Sequence, residues 1–260
     1  MIPSPESSVI FSVNGFDIHY YGVIMFFAII SALLVIREMC KRYYKDVSTD
    51  ILLDILPIII ITAIIGARLY YVVMDIAYYI NHPLEIFAVW NGGLSIHGAL
   101  IGGIGAGFFL AKKHKISFLR YADVFSYGLV IGQAIGRFGN YFNCEAFGKP
   151  CNLLFKLFIP MTHRPDEFMD VQYFHPTFLY ESFWDITVFL ILFFVIRKIG
   201  GAKDGTVFFS YLILYSIGRI FIEQLRLDSV LNICGIPVAQ IVSALIIVVS
   251  ACALFLIYKR

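Results

Sequence analysis

The chain has 260 residues, of which 60% are hydrophobic and 15% are charged, and its mean hydropathy is +0.82. This composition excludes a soluble globular domain and is typical of a protein that crosses a membrane several times. The formal net charge of +2 gives no reason to expect a nucleic-acid partner, because proteins that bind nucleic acids usually carry a strongly basic surface.

Seven apolar segments of this sequence are long enough to cross a bilayer, which takes about 20 residues of helix. We therefore predict an all-α polytopic membrane protein with seven transmembrane helices in a single domain covering residues 1–260. The predicted spans, in chain order, are 20–37, 51–74, 93–111, 121–143, 178–196, 206–224 and 237–258.

The loops between these spans differ in basic charge. Thirteen Lys and Arg residues lie in alternate loops, from 37–50 to the C-terminus, and the other loops hold four. Loops rich in Lys and Arg stay on the cytoplasmic side of a membrane. The distribution predicts an N-terminus outside, a C-terminus in the cytoplasm and a small extracytoplasmic segment at 144–177.

This orientation places the polar residues of six spans near the outer face of the membrane. Asp54 and Asp123 near the inner face, and Asp185 deeper in the fifth span, are the exceptions. The convergence predicts one polar site in the outer half of the membrane. The residues that lie there are His19, Tyr20, Tyr21, Arg68, His97, Arg137, Asn140, Asn143, Glu145, His175, Tyr180, Glu181, Tyr215, Arg219, Glu223 and Arg226.

The stretch Gly132–Gly148, GQAIGRFGNYFNCEAFG, carries the densest group of these residues. It begins as an apolar helix and then places Arg137, two Asn side chains and Glu145 within nine residues. A charged residue inside a membrane is costly and therefore usually functional. A helix-packing seam whose Arg reaches the interface is the alternative. The loss of apolar character at the end of the stretch favours a polar cavity.

Three arginines in the spans, Arg68, Arg137 and Arg219, indicate an anionic ligand. The guanidinium is a planar fork of donors that stays charged when water is removed, so it suits the phosphate of a phospholipid headgroup. Internal pairing is the alternative, because buried charges need partners. Arg219 has Glu223 four residues later on the same helix. Arg137 has Glu145 nearby in the sequence.

Histidine and cysteine are the remaining candidates for chemistry. His97 follows a glycine turn, NGGLSIHG, and histidine is suited to accept a proton near neutral pH. A lone histidine is more often a structural hydrogen-bonding group, so both interpretations stay open. The five cysteines show no spacing typical of a metal site or of a disulfide framework, and a pair between Cys144 and Cys151 stays open.

Six blocks of the sequence resemble those of the prolipoprotein diacylglyceryl transferase family, in the same order. Together they cover most of the chain, and the set at these spacings is far more specific than a GRxGN motif alone. The blocks are HYYG at 19–22, GARLYYV at 66–72, VWNGGLSIHGALIG at 89–102, GRFGNYFNCEAFG at 136–148, HPTFLYE at 175–181 and YSIGRIFIEQLR at 215–226.

The resemblance implies transfer of the diacylglyceryl group of phosphatidylglycerol to the thiol of the lipobox cysteine in a prolipoprotein. The products would be a thioether and glycerol phosphate. It also implies a multi-pass protein of the bacterial cytoplasmic (inner) membrane with an active site that faces the outer leaflet. The expected partners are phosphatidylglycerol, prolipoprotein lipobox segments and the lipid bilayer, with no nucleic acid, no metal and no cofactor.

The resemblance further implies roles for individual residues. We expect Arg137 and Arg219 to hold the phosphate and His97 to accept the thiol proton, with Glu145 or a Tyr as the alternative base. The predicted clustering adds Arg68, Asn143 and Glu181 to the lipid-binding set. The catalytic candidates are Tyr21, His97, Arg137, Glu145, Tyr215 and Arg219, and the phosphatidylglycerol-binding candidates are Arg68, Arg137, Asn140, Asn143, Gly148 and Glu181.

Two other function classes use some of the same features. A transporter or flippase for an anionic lipid would line its path with arginines, but it predicts polar residues through the midplane and often internal repeats. The polar set stops in the outer half, and no repeat is visible in the sequence. A structural membrane subunit leaves the three intramembrane arginines unexplained.

Overall fold

The structure, a computed structural model, describes residues 1–5, 7–13, 16–89, 92–200, 203–227 and 232–259. Within these ranges the chain is mostly helical, with short antiparallel strand pairs. The helices are α1 (Tyr20–Arg42), α2 (Thr49–Met74), α3 (Ile76–Asn81), α4 (Ile96–Lys113), α5 (Phe118–Phe142), α6 (Thr177–Ile191), α7 (Arg197–Gly200), α8 (Thr206–Glu223) and α9 (Val238–Lys259). The strands are β1 (Val9–Val13), β2 (Phe16–His19), β3 (Leu157–Phe158), β4 (Tyr173–Phe174), β5 (Asn232–Ile233) and β6 (Ile236–Pro237).

A long helix lies over each of the seven predicted spans. Within the described ranges, five of these helices are long and apolar enough to cross a membrane: α1, α2, α6 continued to Ile199, α8 and α9. The remaining two helices, α4 and α5, carry more polar residues. Helix α4 has 18 residues, which include His97 and two lysines at its end. Helix α5 contains Arg120, Asp123 and Arg137. The protein is a helical, multi-pass membrane protein.

The chain forms two compact units. The first consists of Met1–Met39 and Ala122–Arg260, and the second of Cys40–Tyr121. The first unit therefore holds most of α5 together with α6, α8 and α9, and the second holds α2, α3 and α4. The predicted site residues divide between them, since Arg68 and His97 belong to the second unit.

Close backbone contact between α2 and α4 shapes the second unit. A Cβ atom on Gly102 would overlap the carbonyl oxygen of Thr62, and Gly66 and Gly98 lie against each other in the same way. Only glycine allows two helices to approach this closely. Gly98 and Gly102 of α4 therefore serve helix packing, as their GxxxG spacing predicts.

Polar contacts join α5, α6 and α8 in the first unit. The buried Asp123 of α5 accepts the backbone N–H groups of Gly205 and Phe208, both at 2.8 Å, at the start of α8. A carboxylate there stabilises the helix, because the first N–H groups have no partner inside it. Ser182 of α6 donates to the carbonyl of Ala134 on α5 at 2.9 Å. These bonds fix the relative positions of the three helices that carry the site.

The 144–177 segment, which links α5 to α6, folds around an apolar core of its own. Strands β3 and β4 pair in it, and Ile2 adds a parallel bridge to Leu157. The core extends into the first turn of α6 and so ties the segment to that helix. Its buried members are Phe147, Leu157, Ile159, Phe174 and Phe178.

Candidate functional site

Three arginines and two glutamates meet near the ends of α5, α6 and α8. Glu181 of α6 is 6% exposed and its carboxylate contacts all three arginines. Its Oε2 lies 2.6 Å from Nη2 of Arg137, and its Oε1 lies 2.9 Å from Nη1 of Arg226 and 3.7 Å from Nη1 of Arg219. Arg219 also pairs with Glu223 at 2.8 Å. We call these five residues the arginine–glutamate cluster.

The cluster has more positive than negative charge. With every group ionised, three guanidinium groups and two carboxylates carry a net charge of +1. The carboxylates of Glu181 and Glu223 are buried, whereas the side chains of Arg137 and Arg219 stay 20% and 22% exposed. An anion that approaches from the exposed side would meet guanidinium groups first, in a setting with little water to screen the attraction.

Arg137 has N–H donors that its contact with Glu181 does not use. Within the described part of the chain, its one ion-pair partner is Glu181. A guanidinium group has five N–H donors in a fixed fork. Arg137 can therefore keep Glu181 and still bind two oxygens of a phosphate.

The polar residues that follow Arg137 hold one another in a turn. Nδ2 of Asn140 and Nδ2 of Asn143 donate to Oε1 of Glu145 at 2.9 Å and 3.4 Å. Cys144 and Ala146 have φ angles of 50° and 55°, which turn the chain back after α5. The backbone N–H of Glu145 donates to Asn140 O at 3.1 Å. The exposed Glu145 carboxylate therefore has a fixed position and open space for a further donor.

Gly148 joins the 144–177 segment to the end of α8. Its N–H donates to His175 O at 2.9 Å, and its neighbour Lys149 donates to Leu225 O at 2.7 Å. Gly148 also forms a backbone bridge with Arg226. The structure therefore places this residue in a backbone joint beside a member of the arginine–glutamate cluster.

Replacing Gly148 with Ala should lower both stability and turnover. A Cβ atom there would lie 2.7 Å from Leu225 O, 2.8 Å from His175 Cβ and 2.9 Å from Thr177 Cγ2, and overpacking of this kind costs about 1–3 kcal/mol. We expect a lower unfolding temperature in detergent and the loss of most activity. Gly132→Ala is the matched control, because its Cβ would make ordinary contacts at 3.6 Å. If Gly148→Ala kept wild-type stability and turnover, the backbone joint at Gly148 would not be needed for either.

The two predicted tyrosines lie on α1 and α8, in the same unit as the cluster. Tyr21 of α1 packs its ring against Gly139 of α5, where a Cβ atom would come within 2.7 Å of the ring. Tyr215 of α8 lines a narrow cleft together with Asp185 and Arg219. Asp185 is 2% exposed, and its Oδ2 has no hydrogen-bond partner within the described ranges.

Arg68 of the second unit binds backbone carbonyl groups. It is 6% exposed and donates from Nε to Ile86 O at 2.9 Å and from Nη1 to Gly92 O and Gly93 O at 2.8 Å and 3.0 Å. Nη2 donates to Glu85 O. The guanidinium group thus fixes the loop that leads into α4, and every nitrogen of its fork already has a partner.

His97 is the second residue of α4 and is exposed. Its ring lies beside Tyr70 of α2, with ring centroids 5.8 Å apart. The N–H of Ser95 donates to Ala67 O at 3.0 Å, which ties the start of α4 to α2. The position of His97 therefore depends on the α2–α4 packing and on the loop that Arg68 holds.

A family model described as "Prolipoprotein diacylglyceryl transferase" matches residues 8–257 of the chain. The chain belongs to the prolipoprotein diacylglyceryl transferase family. It is therefore a transferase, and the family predicted from the six sequence blocks is confirmed.

Curated relatives cover nearly the whole chain, and each is named a phosphatidylglycerol–prolipoprotein diacylglyceryl transferase. The relative from Nostoc sp. is 41% identical over 256 residues, which are 97% of this chain and 89% of the relative. The relative from Synechocystis sp. is 41% identical, with coverage of 96% and 89%. The relative from Thermotoga maritima is 40% identical over 246 residues, with coverage of 94% and 82%.

The ion pairs of the arginine–glutamate cluster match the predicted internal pairing in part. The pair between Arg219 and Glu223 is present, as their spacing on one helix predicts. The alternative pair between Arg137 and Glu145 is absent within the described ranges, where Arg137 pairs with Glu181 on another helix. Glu145 instead accepts hydrogen bonds from asparagine side chains.

The sequence analysis assigns no chemical role to two members of the arginine–glutamate cluster, Glu223 and Arg226. The signal was present, since both continue the helical spacing of Tyr215 and Arg219. Helix α8 ends at Glu223, and Arg226 follows in the turn after it. That turn brings Arg226 to the Glu181 carboxylate at 2.9 Å.

Proposed function

We propose that this chain transfers the diacylglyceryl group of phosphatidylglycerol to the thiol of the lipobox cysteine of a prolipoprotein. The products are a thioether on that cysteine and glycerol phosphate. The observation that carries the proposal is the arginine–glutamate cluster, in which two partly exposed arginines and a positive surplus suit one phosphodiester anion.

The reaction breaks the bond between the lipid's glycerol carbon and a phosphate oxygen. The substrate sulfur attacks that carbon as a thiolate, so its proton must leave first. The bonding electrons pass to the phosphate oxygen, and negative charge grows on the departing glycerol phosphate. Arg137 and Arg219 stabilise that charge, and a preorganised donor of this kind typically contributes about 3–4 kcal/mol.

The thiol of Cys144, which lies in the same stretch as Arg137, does not fit the nucleophile. All five cysteines are free, so Cys144 and Cys151 do not form a disulfide. Burial raises the pKa of the Cys144 thiol, which lowers the fraction present as thiolate at neutral pH. In the proposed reaction the sulfur comes from the prolipoprotein.

The remaining roles follow from the family motifs and the local geometry. We assign His97 to accept the thiol proton, with Glu145 or a tyrosine as the alternative base. Asn140 and Asn143 orient Glu145, and together they would meet the hydroxyl groups of the headgroup. We assign Tyr21 and Tyr215 to contact the lipid. We assign Gly148 to support the arginine–glutamate cluster through its backbone joint with Arg226. Arg68 would act by holding the loop before His97.

We further propose that all seven long helices cross the bacterial cytoplasmic (inner) membrane as one domain over 1–260. The N-terminus lies outside, the C-terminus lies in the cytoplasm, and the active site faces the outer leaflet. The support is the distribution of basic residues between loops, thirteen against four. In this orientation the 144–177 segment and the arginine–glutamate cluster would lie on the outer side.

A reporter fused after Lys113 should signal the cytoplasm, and a reporter inserted at 149–174 should signal the outside. The paired fusions use an alkaline phosphatase and a fluorescent protein, which are active on opposite sides of the membrane. A cytoplasmic signal from 149–174 would contradict the proposed orientation and remove the outer-leaflet site.

Diacylglycerol should fail as a donor under conditions in which phosphatidylglycerol is consumed. It lacks the phosphate that the arginines would hold and that leaves with the bonding electrons. The measurement is the mass of a lipobox peptide after incubation with purified protein and either lipid, with the two lipids matched in acyl chains. Equal modification of the peptide by both lipids would show that phosphate has no part in the mechanism.

A further inference from the structure

Three consecutive apolar side chains project from the folded 144–177 segment. Leu153, Leu154 and Phe155 are 58%, 81% and 64% exposed, although the same segment buries a core of five apolar residues. We call these three residues the apolar tip. We propose that the apolar tip inserts into the anionic lipid interface of the membrane and anchors the segment there.

Backbone bonds on both sides hold the tip outward. Before it, Cys151 donates its N–H to Tyr173 O at 3.0 Å, and after it Lys156 accepts the N–H of Ile2 at 2.8 Å. The N–H of Leu153 itself donates to Sγ of Cys151 at 3.3 Å. With both ends fixed, the tip presents its side chains away from the apolar core of the segment.

The tip is close in the fold to the end of a membrane-spanning helix. Leu157, two residues after Phe155, is buried in the same core as Phe178. Phe178 lies in the first turn of α6, which is long and apolar enough to span the bilayer. The headgroup region begins where such a helix leaves the hydrocarbon, about 15 Å from the bilayer centre. An apolar side chain at that level is more stable in the interface than in water.

The charges beside the tip fit anionic lipid. The nearest charged residues in sequence are Lys149 and Lys156, one on each side, and the ammonium group of Lys156 lies 4.2 Å from the centre of the Tyr173 ring. Apart from Glu145 at the start of the segment, its acidic residues, Asp166, Glu167 and Asp170, follow the tip by eleven residues or more. Apolar side chains flanked by lysine and tyrosine are the combination that binds an anionic membrane surface.

A prolipoprotein segment suits the tip less well than lipid does. The positively charged N-terminal region of a bacterial signal peptide stays on the cytoplasmic side, so in the proposed orientation it would not reach Lys149 and Lys156. Anionic lipid attracts the same two lysines. The inference does not depend on the transfer reaction, because it concerns only where the tip lies.

The test measures the depth of a nitroxide label in the full chain. The exposed cysteines are removed as Cys234→Ser and Cys252→Ser, and the three buried cysteines remain. A label on Leu154→Cys is compared with one on Glu167→Cys, an exposed position of the same segment. Both proteins are placed in nanodiscs of phosphatidylcholine with phosphatidylglycerol, and collisions with oxygen and with a water-soluble nickel chelate are measured.

The ratio of oxygen to nickel collisions should be about tenfold higher at position 154 than at 167, because oxygen concentrates in the acyl region and the chelate stays in water. The difference should shrink in discs without phosphatidylglycerol and in the variant Lys149→Gln/Lys156→Gln. Equal ratios at both positions, or protection of position 154 only after a lipobox peptide is added, would overturn the proposal.

A second measurement covers the case in which the labelled variants fail to fold. Phe155→Trp in the unaltered chain should lose fluorescence in discs made with brominated lipids, relative to the parent protein with its own tryptophans. Asp166→Trp is the control and should not be quenched above the parent level. Equal quenching of the two variants would likewise overturn the proposal.

Discussion

Replacing Arg137 with Lys should lower the release of glycerol phosphate about 100-fold at saturating phosphatidylglycerol, as the loss of one well-placed donor does in other enzymes. Lysine keeps the charge but replaces a planar fork by a single ammonium group. Arg137 uses Nη2 for Glu181 at 2.6 Å, which leaves other N–H groups for the phosphate. One ammonium group cannot keep both partners in that geometry. The measurement is turnover, with folding checked by thermal unfolding in detergent.

Arg120→Lys is the matched control for Arg137→Lys. Arg120 also uses its fork, donating to both carboxylate oxygens of Asp46 at 2.9 Å, but it belongs to the second unit and has no assigned role in the reaction. The turnover of Arg120→Lys should stay within about threefold of wild type, which is much smaller than the drop expected for a lost transition-state donor. Should Arg137→Lys also stay within that range, Arg137 would only reach the headgroup region, and Gly132–Gly148 would be a packing seam.

Replacing Glu181 with Gln should destabilise the protein and abolish most activity. The substitution keeps the shape but removes the charge that three guanidinium groups share, at 2.6, 2.9 and 3.7 Å. Removing one partner from a buried ionic group typically costs about 3–5 kcal/mol, because the remaining charges stay buried without compensation. We expect a marked fall in the unfolding temperature in detergent and turnover below that of Arg137→Lys.

Added anion should partly replace the missing carboxylate. Glycerol phosphate binds the folded state in this account, so it should raise the unfolding temperature of Glu181→Gln more than that of wild type. Glu167→Gln removes an exposed carboxylate from the same part of the chain and should change neither stability nor turnover. If Glu181→Gln unfolds at the wild-type temperature, the shared carboxylate does not hold the cluster together.

The helices and the local pairs could be predicted from the sequence because their causes are local. An apolar run of about 20 residues gives a helix of spanning length. A helix lies at each of the seven predicted positions, and within the described ranges five of them are long and apolar enough to cross a membrane. The pair between Arg219 and Glu223 depends only on their separation along one helix. The packing of Gly98 and Gly102 follows from their spacing in the same way.

The connections between distant parts of the chain could not be predicted. Glu181 was expected to bind lipid, and its contacts with three arginines from other elements depend on how α5, α6 and α8 pack. Arg68 binds backbone carbonyl groups of a loop. The sequence of that loop has no periodic pattern from which these contacts could be predicted. The 144–177 segment has strands of two residues, too short for an alternating pattern, and it is completed by Ile2 from the start of the chain.

The most direct test of the proposed function is a mass balance on the reaction. Purified protein is incubated in nanodiscs with phosphatidylglycerol and a lipobox peptide, and both products are quantified by mass spectrometry over time. The account predicts a diacylglyceryl group on the peptide cysteine, blocked when that cysteine is replaced by serine, and one glycerol phosphate released for each modified peptide. Movement of phosphatidylglycerol between leaflets with neither product formed would contradict the account and indicate a flippase.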